Sequence, residues 1–467
     1  MGRRHRRVQR EDGSAGRAVS AMPSSLACSG CGWAPPDDDP YPFRCANAGS
    51  GDDVDHVIVR TLDASKLSWP TGTESNTFVR YRELFRSHHL ATSRGMPDAE
   101  YVELVERLDK EVSAVDGTGF VVTRFGRQDA LSERLGFSTD GGVWVKDETR
   151  NVSGSHKARH LMGLAIWLEV VDRLGLGDSR DRRLAIASCG NAALAAAVVA
   201  RAANRPLDVF VPTWADDSIV TRLKELGATI TPCPREEGVP GDPTYHALQG
   251  AIAGGAIPFT CQGPDNGLTI EGGETLGYEL ASQLANDIGG LRDAGRLGAI
   301  RAVPQLFAVQ TEGGHPLQRA YDRMKARIVD RLMTLGLARN ERDPNPIADR
   351  IDRPEVQDEL AYARANRSMF MWPWEEEPKS IAHGILDDET YDWYAVVYAM
   401  LETAGLPILV DEATLRESNA LARSTTGIDV DYTGSAGLAG LIKAVPSEGN
   451  VMAVLFTGAM RGEGNGT

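Results

Sequence analysis

Short apolar runs alternate along this chain with longer stretches in which apolar positions recur every three to four residues. The alternation is clearest from about residue 142. Val143-Trp144-Val145-Lys146 reads as a strand, and 157–174 as an amphipathic helix with Leu161, Leu164, Ala165, Leu168 and Val171 on one stripe. The same reasoning predicts strands at 184–188, 207–211, 229–233, 257–261, 305–309 and 451–456. It predicts helices at 192–203, 216–226, 243–253, 271–286, 315–332, 389–403, 412–424 and 435–445. Residues 338–380 are charged and irregular, with Trp372-Pro-Trp374 and the acidic run Glu375–Glu377, and read as a surface insertion. Strand–helix alternation of this kind predicts an α/β fold of mostly parallel, doubly wound sheets. Two such sheets make two lobes with a cleft between them.

Composition narrows the partners. A chain of 467 residues, 42% apolar, is long enough for about two or three domains. The expected division is an arm (1–22), a cysteine-containing segment (23–60), a larger lobe (61–155 and 256–467) and a smaller α/β lobe (156–255). The net charge of −15 argues against nucleic acid or an anionic membrane as the main partner. No apolar run approaches about 18 residues, so no membrane span is expected. The first ten residues carry five arginines and no apolar core; they read as a disordered extension, with Met22 as a candidate initiator. Six cysteines in so long a chain are not a disulfide framework, which points to a reducing cytoplasm.

Three of those cysteines, Cys28, Cys31 and Cys45, fall in a Pro- and Gly-rich stretch without helix or strand pattern. A C-x-x-C knuckle is half of a zinc site, and a closed site needs four ligands. His56 is a candidate fourth, at a non-standard spacing among Asp52, Asp53 and Asp55, so the expectation is a metal-free segment.

Candidate chemistry begins at Lys157, where the strand breaks into Asn151-Val-Ser-Gly-Ser-His and a helix follows. A lysine at a strand-to-helix turn, flanked by hydroxyls, suits Schiff-base formation, provided its amine is desolvated enough to lose a proton. The competing reading is a surface lysine at a helix start, although the chain has only eight lysines against 42 arginines. Ser188-Cys189-Gly190-Asn191-Ala192 closes a buried strand and opens a helix; glycine allows close approach, and the helix start offers unpaired N–H groups. Asn191 reads either as a ligand-binding amide or as a helix N-cap. Thr457 follows the last strand, at the end where open α/β sheets bind ligands.

Together Ser153-Gly-Ser-His-Lys157-x-Arg159, Ser188-x-Gly190-Asn191-Ala-Ala, Gly272-x-x-Thr275-x-x-x-Glu279 and Thr457-Gly458 resemble fold type II pyridoxal-phosphate enzymes. The motifs Cys28-x-x-Cys31-Gly, Arg80-Tyr-Arg-Glu-Leu84 and Val145-Lys-Asp-Glu148 look most like threonine synthases. The resemblance implies that the larger lobe binds pyridoxal 5'-phosphate and that Lys157 holds it as a Schiff base. It further implies that Asn191, beside Gly190, meets the phenolic oxygen and that Thr457 faces the ring nitrogen. A substrate carboxylate would rest on Ser188, Cys189, Asn191 and Ala192. A neutral hydroxyl at the ring nitrogen makes a weaker electron sink, which suits elimination or replacement at the β or γ carbon of a small amino acid. A phosphohomoserine-to-threonine synthase is the leading reading and a serine or threonine ammonia-lyase the alternative. A catalytically inactive binding or regulatory relative is a further one. By analogy the assembly is a homodimer. A synthase needs cations for its substrate phosphate, and Arg159, His156 and Lys146 are the candidates.

The chain departs from the family pattern at His156, Ala158 and Cys189, where phenylalanine, aspartate and a hydroxyl residue are usual. The glycine-rich phosphate loop also has no clear counterpart. The 20 residues between Gln283 and Pro304 hold no β-branched apolar run followed by glycines, with Gly289-Gly290 the only remnant, and leave hardly room for a strand of about 5 residues and a helix of about 10. Gly434-Ser-Ala-Gly437 is a substitute candidate that also reads as a plain helix start.

Overall fold

A computed structural model describes residues 22–49, 51–235, 237, 239, 241–284, 292–299, 303–338, 347–376 and 378–461. Except for Met22, the expected arm lies outside these, as does Gly289-Gly290.

Eleven strands are described: β1 (Ser24–Cys28), β2 (Ile58–Leu62), β3 (Phe125–Arg127), β4 (Gly142–Asp147), β5 (Leu184–Ala187), β6 (Leu207–Pro212), β7 (Thr229–Cys233), β8 (Ile257–Pro258), β9 (Ala308–Thr311), β10 (Pro407–Val410) and β11 (Val451–Phe456). β7-β6-β5-β8 form one wholly parallel sheet. β4 pairs in parallel with β11 and antiparallel with β3, and β9 pairs in parallel with β10. The result is the expected mixed α/β architecture, parallel wherever helices make the crossovers.

Several elements differ from the sequence expectation. Between Cys28 and Cys45 the chain forms neither helix nor strand, as expected, but β1 and β2 flank that stretch as an antiparallel pair with Cys28 opposite Ile58. β8 stops at Pro258, short of 261: the Ile257 and Phe259 N–H groups still donate to the Arg183 and Ala185 carbonyls, and the chain then turns toward Lys157. The strand placed at 305–309 runs instead from Ala308 to Thr311, beside a partner, β10, absent from the sequence reading. The expected surface insertion holds a helix, Pro354–Ala365, whose Val356, Leu360 and Ala363 enter a core with Met324, Ile328, Phe370 and Trp393. No helix among the described residues is long and apolar enough to cross a membrane.

The Lys157–Arg173 helix is buried along almost its whole length and crosses the Thr269–Leu284 helix at glycines. A Cβ on Gly272 would lie 2.2 Å from the Arg159 carbonyl, and one on Gly163 would lie 2.8 Å from the Gly272 Cα. Gly272→Ala is therefore expected to destabilise the chain by about 1–3 kcal/mol through overpacking. Gly250→Ala, in a helix with open space at that position, should be neutral or stabilising. Denaturant midpoints of the two variants check the contrast.

Candidate active site

Three loops leave the C-terminal ends of parallel strands and meet. Register explains two of them. Because Phe456 pairs with Asp147, the chain leaving β11 runs beside the chain leaving β4. Ser155 then bridges Gly458, the His156 N–H donates to the Thr457 carbonyl (3.2 Å), and the Ala459 N–H donates to the Gly154 carbonyl (2.8 Å). Lys157 and Thr457, 300 positions apart in sequence, are thus zipped together. Ser153 sits at φ 56°, unusual for a residue with a Cβ, so strain is concentrated four residues before Lys157.

The third loop follows β5. Residues 188–192 are half-buried between a buried strand and a buried helix, as the wall of a cleft would be. Nothing stands within 4 Å of where a Gly190 Cβ would be. Asn191 is the first residue of its helix and makes no capping bond, so the N-cap reading fails. Its side-chain oxygen accepts from Arg461, and its amide reaches Asp431. These ties join the helix that follows β5 to the segment after Thr457. The N–H groups of Asn191, Ala192 and Ala193 lack intrahelical acceptors by the geometry of any helix start.

The electrostatics around Lys157 come from groups far apart in sequence. His156 and His160 are both lowered, first by burial and then by the lysine's charge, His156 to about 4. Both rings are neutral near pH 7, and His156 Nδ1 faces the Thr457 carbonyl at 3.2 Å. Cys261, whose Sγ lies 3.9 Å from the Lys157 carbonyl, has its thiol pushed up to about 11 by burial. Asp392 is raised to about 6 by burial, against a Gly263 N–H at 3.4 Å and the Lys157 charge. Asp387 also acts on Lys157. Enclosure by the surrounding protein raises its carboxyl, the Lys157 charge opposes the rise, and Asp388 and Asp242 add to it. Asp242, beside Cys189, and Tyr391 complete this acidic side. Nothing in the local sequence of 387–392 signals that it faces the lysine.

Two of the proposed phosphate-binding cations are elsewhere engaged. Arg159 is 1% exposed and spends all five N–H donors inside the protein: on Glu148 (2.7 and 2.9 Å), Glu279 (2.7 Å), Thr275 (3.0 Å) and Thr123 (3.3 Å). Lys146, fully buried, donates to Glu279 (2.6 Å), Gln283 (2.7 Å) and the Thr123 carbonyl (3.0 Å). The neutral His156 offers no charge either. Gly434 is no phosphate cradle: Asp431 caps that helix start, and a Gly434 Cβ would strike the Gly458 backbone. Ser435 Oγ is committed to the Asp431 carbonyl and to Asn419. By contrast, Ser153 Oγ and Ser155 Oγ, buried beside Lys157, have no hydrogen-bond partner among the described residues.

Among solved structures the chain is similar to maize serine racemase (16% identity, 76% of this chain and 93% of that one, TM-score 0.47). It is also similar to a threonine deaminase from T.th. (19%, 78% and 99%, 0.47) and to an L-serine ammonia-lyase from Rhizomucor miehei (18%, 73% and 94%, 0.47). No curated protein sequence matches it. The family model described as "Pyridoxal-phosphate dependent enzyme" matches residues 120–458, which include β4, Lys157, the 188–192 turn and Thr457, and the chain therefore belongs to the pyridoxal-phosphate-dependent enzymes of fold type II.

Proposed function

We propose that this enzyme is a lyase that eliminates the β-hydroxyl of a small amino acid, as serine and threonine ammonia-lyases do. One observation favours this over a phosphohomoserine-dependent synthase: among the described residues, the groups coupled to Lys157 are acids, neutral histidines and the Cys261 thiol, while Arg159 and Lys146 are locked in a buried network and Arg461 is engaged by Asn191 and the Ser153 carbonyl. A doubly charged phosphate would meet Asp387 and Asp392 with none of Arg159, Lys146 and Arg461 free to offset them; a neutral hydroxyl would not be opposed.

Pyridoxal 5'-phosphate is the cofactor of the family. The orphaned Ser153 and Ser155 hydroxyls, the open side of Gly190 and the cleft-wall burial of 188–192 suit a polar ring compound. When bound, it supplies an electrophilic carbonyl and a ring that withdraws electrons from the substrate Cα. Lys157 holds it covalently and moves the proton at Cα. The N–H groups of Cys189, Asn191 and Ala192 bind the substrate carboxylate at the helix's positive end, with Ser188 beside them. Asn191 is kept in place by Arg461 and Asp431. Thr457 offers the ring nitrogen a neutral hydroxyl.

Asp387, its carboxyl held above the ordinary range, is suited to protonate the departing hydroxide. Its protonated form is the active one, so this step slows as pH rises through its raised pKa. Asp387→Asn is expected to lower kcat by about 10²–10⁴-fold, with little change in KM, and to remove that limb of the pH profile. An unchanged kcat and profile would dismiss the role.

The function itself is tested with a panel of hydroxy- and phosphohydroxy-amino acids. Ammonia and a keto acid from the hydroxy compounds support the lyase. Phosphate released from phosphohomoserine, with threonine formed, establishes the synthase instead.

A further inference from the structure

We propose that Cys28, Cys31, Cys45 and His56 form a structural zinc site that braces the wall of the active-site cleft. This reverses the sequence expectation of a metal-free segment, and it stands independently of the lyase reading.

The four residues come from three separate pieces of chain. Cys28 ends β1, Cys31 follows on the knuckle, Cys45 comes from the intervening loop, and His56 shortly precedes β2. Pairing of Cys28 with Ile58 folds the His56 end of the loop back onto the knuckle. All four ligand atoms lie within 4.8 Å of one another. Cys31 Sγ is 3.5 Å from Cys45 Sγ, and Cys28 Sγ is 3.4 Å from His56 Nδ1. A tetrahedron with zinc–sulfur bonds of about 2.3 Å has sulfur–sulfur edges of about 3.8 Å, so the cluster needs only slight expansion to receive the ion.

The surroundings are those of a ligand set. His56 Nε2 lies 2.8 Å from Asp52 Oδ2, and Asp52 is itself fixed by the Val54 N–H at 2.9 Å. A proton on Nε2 leaves the Nδ1 lone pair pointing at the thiols, the carboxylate–histidine arrangement that orients metal ligands. Asn47 donates to both loop sulfurs, from its backbone to Cys45 (3.4 Å) and from its side chain to Cys31 (3.5 Å). Such bonds stabilise thiolate charge. Gly30 is needed for the convergence: a Cβ there would lie 2.4 Å from the Asp55 carbonyl. Cys28 and Cys45 are buried and the His56 side chain is 6% exposed. Four protein ligands, mostly buried, leave no open coordination position, which marks a structural site and not a catalytic one.

The segment carrying these ligands reaches the cleft by short contacts. The Asp55 N–H donates to the Arg364 carbonyl (2.8 Å), and the Gly267 N–H donates to the Phe43 carbonyl (2.9 Å). Val57, next to His56, packs on Gly263, the glycine against which Asp392 rests. Loss of the ion loosens this wall two residues from Cys261 and hence from Lys157.

Elemental analysis of the purified full chain is expected to find one zinc per chain. Cys31→Ser, which alters the most exposed ligand, should remove it, and Asp52→Asn should weaken zinc binding by about 10–100-fold. Chelator-treated wild type, given cobalt(II), should develop the intense thiolate-to-metal and d–d absorption of a tetrahedral thiolate site and regain its thermal midpoint. This last measurement needs no variant to fold. Reduced protein that holds no zinc as isolated and shows no such absorption overturns the proposal, as does a Cys31–Cys45 disulfide in freshly isolated material.

Discussion

Lys157→Ala is expected to abolish the violet Schiff-base absorbance of the holoprotein and to leave no pyridoxyl tag on the 157 peptide after borohydride reduction. Turnover should fall by about 10³-fold or more, since the same amine both anchors the cofactor and moves the Cα proton. Stability should change little. Lys157 is half-buried at the cleft, and the ion network behind it, from Glu148 to Glu279, does not include it. Added small primary amines should restore part of the rate, because a diffusing base can replace a missing proton carrier but not a lost fold. Full tagging of the variant at another lysine would move the anchor elsewhere. Retained activity in an untagged variant would remove the covalent step altogether.

What could be read from the sequence followed the range of the interactions. The helix beginning at Lys157 and the strands β4, β5 and β11 announce themselves through local periodicity, and their loops carry the residues that the register of β4 with β11 brings together. β1 and β2 were invisible because each is a five-residue strand that makes sense only beside the other, with residues 29–57 between them. β10, four residues long, likewise depends on β9. The helix Pro354–Ala365 did carry a signal, apolar residues at 356, 360 and 363, but dense charge around it read as surface.

Site electrostatics were less legible still. Arg159 lies two positions past Lys157 and looked like a neighbour in chemistry. At about 100° per residue it points to a different side of the helix, into the Thr269–Leu284 helix rather than the cleft. Asp387 and Asp392 act on Lys157 from more than 200 residues away, and their raised carboxyls come from the surrounding fold and from neighbouring acids, which sequence does not display. His56 had an odd spacing for a metal ligand because its position is set by the β1–β2 ladder and not by a local motif.

The same buried network gives the second large effect. Burial alone would raise the Glu148 carboxyl, but the Arg159 guanidinium outweighs it and holds the group at about 2. A depressed carboxylate stabilises the fold above its unfolded pKa of about 4.3, and that gain is lost as pH falls toward 2. Arg159→Met removes the counter-charge and leaves Glu148 buried with an uncompensated charge, while Glu279 keeps Lys146. The expected cost near pH 7 is about 3–5 kcal/mol, read from denaturant unfolding. In the variant, the Glu148 pKa rises above its unfolded value, so protonation now favours the folded state. The gap to wild type should therefore narrow as pH is lowered from about 7 toward 5. Adding Glu148→Gln should recover part of the loss, since the remaining amide can be hydrogen-bonded without a charge to neutralise. A substrate-binding Arg159 predicts something else: unaltered stability and a KM raised only for phosphorylated substrates. That result would restore the synthase reading, because it would place a free cation where the fold now shows a spent one.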